Sequence, residues 1–196
     1  MRDLLMERRP KDWDITTTAN PGQIQQLFPN TFYENDYGTV GVVQEGTEDE
    51  TLKVIEVTPY RIEGEYSDAR HPDTVSFTKV LEEDLKRRDF TINSLAYDES
   101  REELVDLYGG VKDIKDKMVR AVGVPEERLK EDALRMLRAV RFSCELNFGI
   151  DHQTELAIKE NSGLIKEISQ ERIRDELTKI INVMDIMLGD RRIDLC

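Results

Sequence analysis

The segment PEERLKEDALRMLRAVRFSCEL, residues 125–146, decides how the rest of the chain is read. Leu129, Ala133, Leu137 and Val140 recur on one side with Met136 beside them, the spacing of one amphipathic helix over Pro125–Leu146. Beyond it, DHQTELAIKEN and SQERIRDELTKIINVM continue the helical pattern, the latter opened by Ser169 and Arg172 as an imperfect capping box after acidic Glu171. Ahead of Gly123 the pattern changes. GTVGVV (Gly38 to Val43), LKVIEVT (Leu52 to Thr58) and EELVDL (Glu102 to Leu107) have strand composition, and PGQIQQLF (Pro21 to Phe28) starts as a helix with Pro at its first position. The expected architecture is α+β: a mixed unit over residues 1–122, then an all-α unit over 123–196. Residues Tyr60 to Ser76 show neither period and carry Gly, Ser, Asp and Pro, so they are expected as a long functional or disordered loop.

With 196 residues there is room for one good core or two small ones. The chain is 38% hydrophobic and 35% charged, and no apolar run approaches the roughly 20 residues that crossing a bilayer takes. No basic start with an apolar centre marks a signal peptide, so the expected location is cytoplasmic. Cys144 and Cys196 form neither a metal-type spacing nor a disulfide framework and read as ordinary thiols. Forty-one acidic residues against 28 basic ones leave a net charge of −13. That weighs against a broad electrostatic grip on nucleic acid, and any such binding must use a local basic strip or a part outside this chain.

Three clusters carry chemistry. In KDWDITT, residues 11–17, Trp13, Ile15 and the threonines favour a strand, which would put Asp12 and Asp14 on one face and Trp13 on the other. Two carboxylates side by side repel unless a cation or donor is shared. Mg²⁺ suits such oxygen ligands, although solvated turn aspartates fit the same short pattern. In EEDLKRRDFTINSLAYD, Arg87 and Arg88 precede Asp89, an arrangement that fits a triphosphate contact or a surface ion pair. In KEDALRMLRAVRF, Asp132, Arg135, Arg138 and Arg141 recur every three residues along one side of the expected helix, with Glu131 and Asp132 available as partners.

The order DWD, GTV, EVTxxR, RRDFTINSLAY, DLYGGVKDI, EDALRMLRAVRF and SQERIRDEL resembles the class II tRNA nucleotidyltransferases, the CCA-adding enzymes, and the related bacterial poly(A) polymerases. The resemblance covers nearly the whole chain and implies a nucleotidyltransferase-type head with a small mixed sheet, then a helical neck. It further implies attack of an RNA 3′-hydroxyl on the α-phosphate of CTP or ATP with release of pyrophosphate, chemistry that rests on metal ions and positioning. By the same resemblance Asp12 and Asp14 bind catalytic Mg²⁺, with Glu56 as a further acidic group beside the metal. Asp89 is counted as catalytic, and Arg2 and Arg88 contact the triphosphate. EDALR takes the place of a pairing base: Asp132 accepts from the exocyclic amine of cytosine or adenine, and Arg135 donates to the neighbouring ring acceptors. Arg138 and Arg141 hold phosphate or sugar, and the Tyr60 to Ser76 loop takes part in nucleotide switching.

Two departures bear on the reading. Family members carry a strand and a Gly-Gly pair ahead of a Val-Arg-Asp segment, whereas this sequence opens with Met1 in the place of Val, followed by Arg2 and Asp3. Family members also continue beyond SQERIRDEL into body and tail domains that hold tRNA, which implies a shortened chain. The leading reading is Mg²⁺-dependent addition of C and A from CTP and ATP to the 3′ end of tRNA. A poly(A) polymerase or a partial C- or A-adding enzyme is the alternative within the class, and a catalytically silent nucleotide-binding fragment the alternative outside it.

Overall fold

The structure, a computed structural model, describes residues 1–33, 38–64 and 74–191. Packing divides them into two compact units, residues 1–64 with 74–87 and residues 88–191. This division falls ahead of the change in composition at Gly123, because the segment from Phe90 to Val122 packs with the later helices. Phe90, for instance, is fully buried edge-on against Phe142, with ring centroids 5.8 Å apart.

The first unit contains α1 (Arg2–Leu5), β1 (Asp14–Thr17), α2 (Pro21–Leu27), β2 (Thr31–Tyr33), β3 (Val40–Val43), β4 (Val54–Pro59), β5 (Arg61–Glu63), β6 (Val75–Phe77) and α3 (Leu81–Lys86). Four of its strands form a mixed sheet in the order β1-β4-β3-β2, with β1 parallel to β4 and the other neighbours antiparallel. Alternation along the strands turns Val40, Val42 and Val57 to one face, where Ile24 of α2 closes a small core. Besides Pro21, α2 has a reciprocal cap: the Asn20 side chain accepts from Gln23 N and the Gln23 side chain from Asn20 N, both at 2.9 Å. Asp84 ties three segments of the unit together. Fully buried, it accepts from Arg87 at 2.8 Å and from Thr16 Oγ1 and Arg61 N at 3.3 Å each.

Three local expectations change here. The strand at the first carboxylate pair begins at Asp14, so Asp12 and Trp13 lie ahead of it, although Trp13 O already accepts from Glu56 N at 3.1 Å. Leu52 closes a 3-10 turn over Glu50–Leu52, begun by the Asp49 side chain accepting from Thr51 N, and the strand starts only at Val54. The ends of the expected Tyr60 to Ser76 loop are paired strands, β5 against β6, with Ile62 opposite Ser76. Residues 65–73 of that loop lie outside the described residues, as do Cys196 and residues 34–37.

The second unit holds β7 (Leu95–Asp98), β8 (Glu103–Asp106), α4 (Gly110–Lys115), β9 (Met118–Val119), α5 (Pro125–Glu131), α6 (Leu134–Leu146), β10 (Gly149–Ile150), α7 (His152–Asn161) and α8 (Gln170–Arg191). Among the described residues after Gly123 the regular elements are therefore helical but for β10, which pairs in parallel with β9. Asp106 explains the start of α4, since its carboxylate takes Gly110 N at 2.8 Å and Val111 N at 3.0 Å. Gly109 before it has a φ of 76°, and a Cβ on Gly110 would fall 2.2 Å from Thr91 O, so the DLYGG run has a steric reason for both glycines.

The expected single helix over Pro125–Leu146 is two helices. Asp132 is extended at φ −142° and ψ 104°, and its Oδ1 accepts from Leu134 N at 3.0 Å, giving α6 a cap where the chain would otherwise have run on. The core stripe shifts accordingly. Leu129, Ala133, Leu134 and Met136 are buried with Ala157 and Ile168, Leu137 packs partly buried beside them, and Val140 is exposed. Cys144 on α6 is a free thiol. Among the described residues no helix is long and apolar enough to cross a membrane.

Candidate active site

In the first unit a transverse row crosses the sheet: Gly41 of β3 stands opposite Glu56 of β4, and Glu56 opposite Asp14 of β1. Residues abreast on neighbouring strands point to the same face, so Asp14 and Glu56 share the face opposite Val57. Asp14 is exposed and Glu56 half-buried, while Asp12, also exposed, stands just ahead of the strand. No group of three or more His, Cys, Asp or Glu is close enough to hold a metal among the described residues. The pair nevertheless fits Mg²⁺, which is commonly bound by one or two carboxylates and completes its shell with water and phosphate oxygens. Arg2 of α1 is half-buried and pairs with Asp3 at 2.9 Å.

The second unit gathers the other candidates around α6. The arginine series is not a solvent-facing strip. Arg135 is 7% exposed, and its Nη1 donates to Arg128 O at 2.9 Å and to Glu131 at 2.6 Å. Arg138 donates to Asp89 through Nε at 2.8 Å and Nη2 at 2.5 Å, and Arg141 lies 3.3 Å from Glu176 of α8. Phe142 lies beneath both outer guanidinium groups, 5.4 Å from Arg138 and 4.5 Å from Arg141. A guanidinium removed from water needs a carboxylate beside it, so burial of the series calls in one acid for each arginine. Asp132, half-buried between α5 and α6, is joined by Arg172 of α8 at 2.9 Å.

Asp89, expected to be catalytic, is buried with both oxygens engaged: Oδ1 by Phe90 N at 2.8 Å and Asn93 Nδ2 at 3.1 Å, Oδ2 by Arg138. Burial pushes its carboxyl up, but the Arg138 guanidinium and the Asn93 amide outweigh that and hold it below the ordinary aspartate value. Arg138 is shifted the opposite way: burial lowers it, and Asp89 overcomes the effect and raises it. Arg141 is lowered, by burial first and then by the like charge of Arg138, against the pull of Glu176. Arg87 is committed to Asp84 within the first unit, whereas Arg88 is half-buried in the second. Sequence reasoning passed over Asp84, Glu176 and the pairing role of Arg172. ERIRDEL held a signal for the last two, since Arg172 and Glu176 are four apart and share a helix face.

These features can be set beside known sequences. Residues 1–120 match the family described as Poly A polymerase head domain. The chain belongs to this family. Residues 147–184 match a second family, described as the probable RNA and SrmB- binding site of polymerase A. Within reach of the poly A polymerase head-domain family, the CCA-adding enzyme of Lactobacillus helveticus (strain DPC 4571) is 49% identical over 181 residues, 92% of this chain and 44% of that protein. A crystal structure of the Bacillus stearothermophilus CCA-adding enzyme in complex with CTP aligns with a TM-score of 0.80 and 42% identity, over 91% of this chain and 42% of that one. The Thermotoga maritima CCA-adding enzyme complexed with tRNA(CCA) aligns with a TM-score of 0.71 and 25% identity, over 92% and 40%. This head-domain chain thus spans less than half the length of each of these relatives. The resemblance drawn from the motifs and the α+β fold expected from them both hold.

Proposed function

We propose that the chain is the head and neck part of a template-independent RNA nucleotidyltransferase, a cytoplasmic enzyme that adds C and A from CTP and ATP to the 3′ end of tRNA. Residues 1–122 are read as the head and 123–196 as the helical neck. The observation that carries the proposal is the row Asp14–Glu56, two carboxylates abreast on one sheet face in a chain so like CCA-adding enzymes. Asp12 and Asp14 would hold Mg²⁺, with Glu56, abreast of Asp14, as the further acidic group beside it. When bound, Mg²⁺ supplies charge neutralisation on the triphosphate and at the leaving pyrophosphate. Arg2 and Arg88 hold triphosphate oxygens, for which a guanidinium fork is the matched donor.

Selection of the base falls to the second unit. Asp132 accepts from the exocyclic amine and Arg135 donates to the ring acceptors, so cytosine and adenine fit while uracil and guanine, which present a carbonyl there, do not. Asp89 serves the site by holding Arg138, and Arg138 and Arg141 face phosphate or sugar. The test is incorporation of labelled CTP and ATP, each alone and together, onto tRNA lacking its 3′ end, with Asp14→Asn as control. Addition of two C and then one A, lost in the variant, is the expected result. Retained activity in Asp14→Asn would overturn the metal assignment. Since the matching family description names poly A polymerase, a second reading is addition of A alone, and A tails without C would select it.

A further inference from the structure

Asp132 is held from two sides. Its Oδ1 is fixed by Leu134 N in its own chain segment, and its Oδ2 receives Arg172 Nη2 at 2.9 Å from a helix 40 residues further on. Each oxygen keeps a second lone-pair direction after its one bond, and Oδ2 is the oxygen that lies against the Arg172 guanidinium. Arg172 adds a further feature: its Nη1 is buried and has no hydrogen-bond partner among the described residues. Buried donors are almost always paired, so an orphan one beside a base-reading oxygen calls for an acceptor that arrives with a ligand. An acceptor, Oδ2, and a donor, Nη1, next to each other complement an edge that carries an amine next to a ring nitrogen. Cytosine and adenine share that edge, and uracil reverses it.

We infer that Arg172 is a specificity-determining residue of the nucleotide site, positioning Asp132 through Nη2 and offering Nη1, alongside Arg135, to the ring acceptor beside the exocyclic amine. The inference rests on the proposed role of Asp132 in reading the base. Arg174, exposed two residues on and paired with its neighbour Asp175, provides the control position.

The experiment is calorimetric binding of CTP and of UTP, with Mg²⁺, to the wild-type chain and to Arg172→Met, Arg172→Lys, Arg174→Met and Asp132→Asn. Thermal melts on the same samples separate selectivity from stability. Loss of one charge-assisted hydrogen bond corresponds to about tenfold in affinity, so Arg172→Met should lose about tenfold of the CTP-over-UTP preference. Arg174→Met should keep all of that preference. Arg172→Lys should recover part of it, since an ammonium can hold Oδ2 but lacks the second prong of the fork. If Arg172→Met keeps the wild-type ratio while Asp132→Asn loses it, base reading stands and the role of Arg172 is overturned. Equal binding of CTP and UTP by the wild-type chain overturns both. Should Arg172→Met fail to fold, an unchanged ratio in Arg172→Lys overturns the inference in its place.

Discussion

Replacing Asp89 by alanine removes the acceptor of four hydrogen bonds: two from Arg138 at 2.8 and 2.5 Å, one from Phe90 N at 2.8 Å and one from Asn93 at 3.1 Å. Removing one partner of a buried ion pair costs about 3–5 kcal/mol because the other charge is left behind. Arg138 has a side-chain exposure of 32%, so water reaches part of the abandoned guanidinium, and the lower end of that range, about 3 kcal/mol, is expected. For a chain of 196 residues this corresponds to a fall in Tm of roughly 6–12 °C. The assay is urea denaturation followed by far-UV circular dichroism, repeated with Arg138→Met and with both changes together. A loss under about 1 kcal/mol in Asp89→Ala, with no coupling in the double variant, would refute the account of Asp89 as the anchor of Arg138. Acid supplies a second check through Asp89→Asn. A carboxyl lowered in the folded state binds its proton more weakly there than in the unfolded chain. Its stabilisation is therefore present above the ordinary value near about 3.9 and disappears as pH falls through the lowered one. The stability gap between wild type and Asp89→Asn should shrink below about pH 4, and a gap that widens there contradicts the ion pair.

Met136, 1% exposed, and Val140, 37% exposed, test the helix stripe: Met136→Ala should lose about 2–5 kcal/mol in the same titration and Val140→Ala under about 0.5 kcal/mol. Comparable losses would mean that α6 buries another face. Gly110→Ala sets a Cβ against Thr91 O and should lower stability by about 1–3 kcal/mol or more, whereas a neutral effect in the melt would mean that the backbone there gives way.

What the sequence disclosed follows from the reach of each interaction. The change at Gly123, the helix at Pro21 and the strands around Val40 and Val57 depend on neighbours a few residues apart, so period and composition were enough. The break at Asp132 depends on one side chain competing for its own backbone, a local event that a strong apolar period hides. Glu131 beside Arg135 was legible, but the acids of the two outer arginines were not, because they lie far off in the chain: Asp89 is 49 residues from Arg138 and Glu176 is 35 from Arg141. Residues Asp14 and Glu56 were both legible as candidates, yet their alignment abreast is a matter of strand register, which no run of residues in either strand reveals alone.

Trp13 is the only tryptophan of the chain, and it sits between Asp12 and Asp14, 37% exposed, with its indole nitrogen 3.3 Å from Thr51 Oγ1. Indole emission follows the local field and the water around the ring, so charge settling on either flanking carboxylate is registered optically at the neighbouring fluorophore. The protein thus carries its own label for one end of the proposed reaction. Emission recorded on adding metal and nucleotide in turn reads which of them changes the field around this ring.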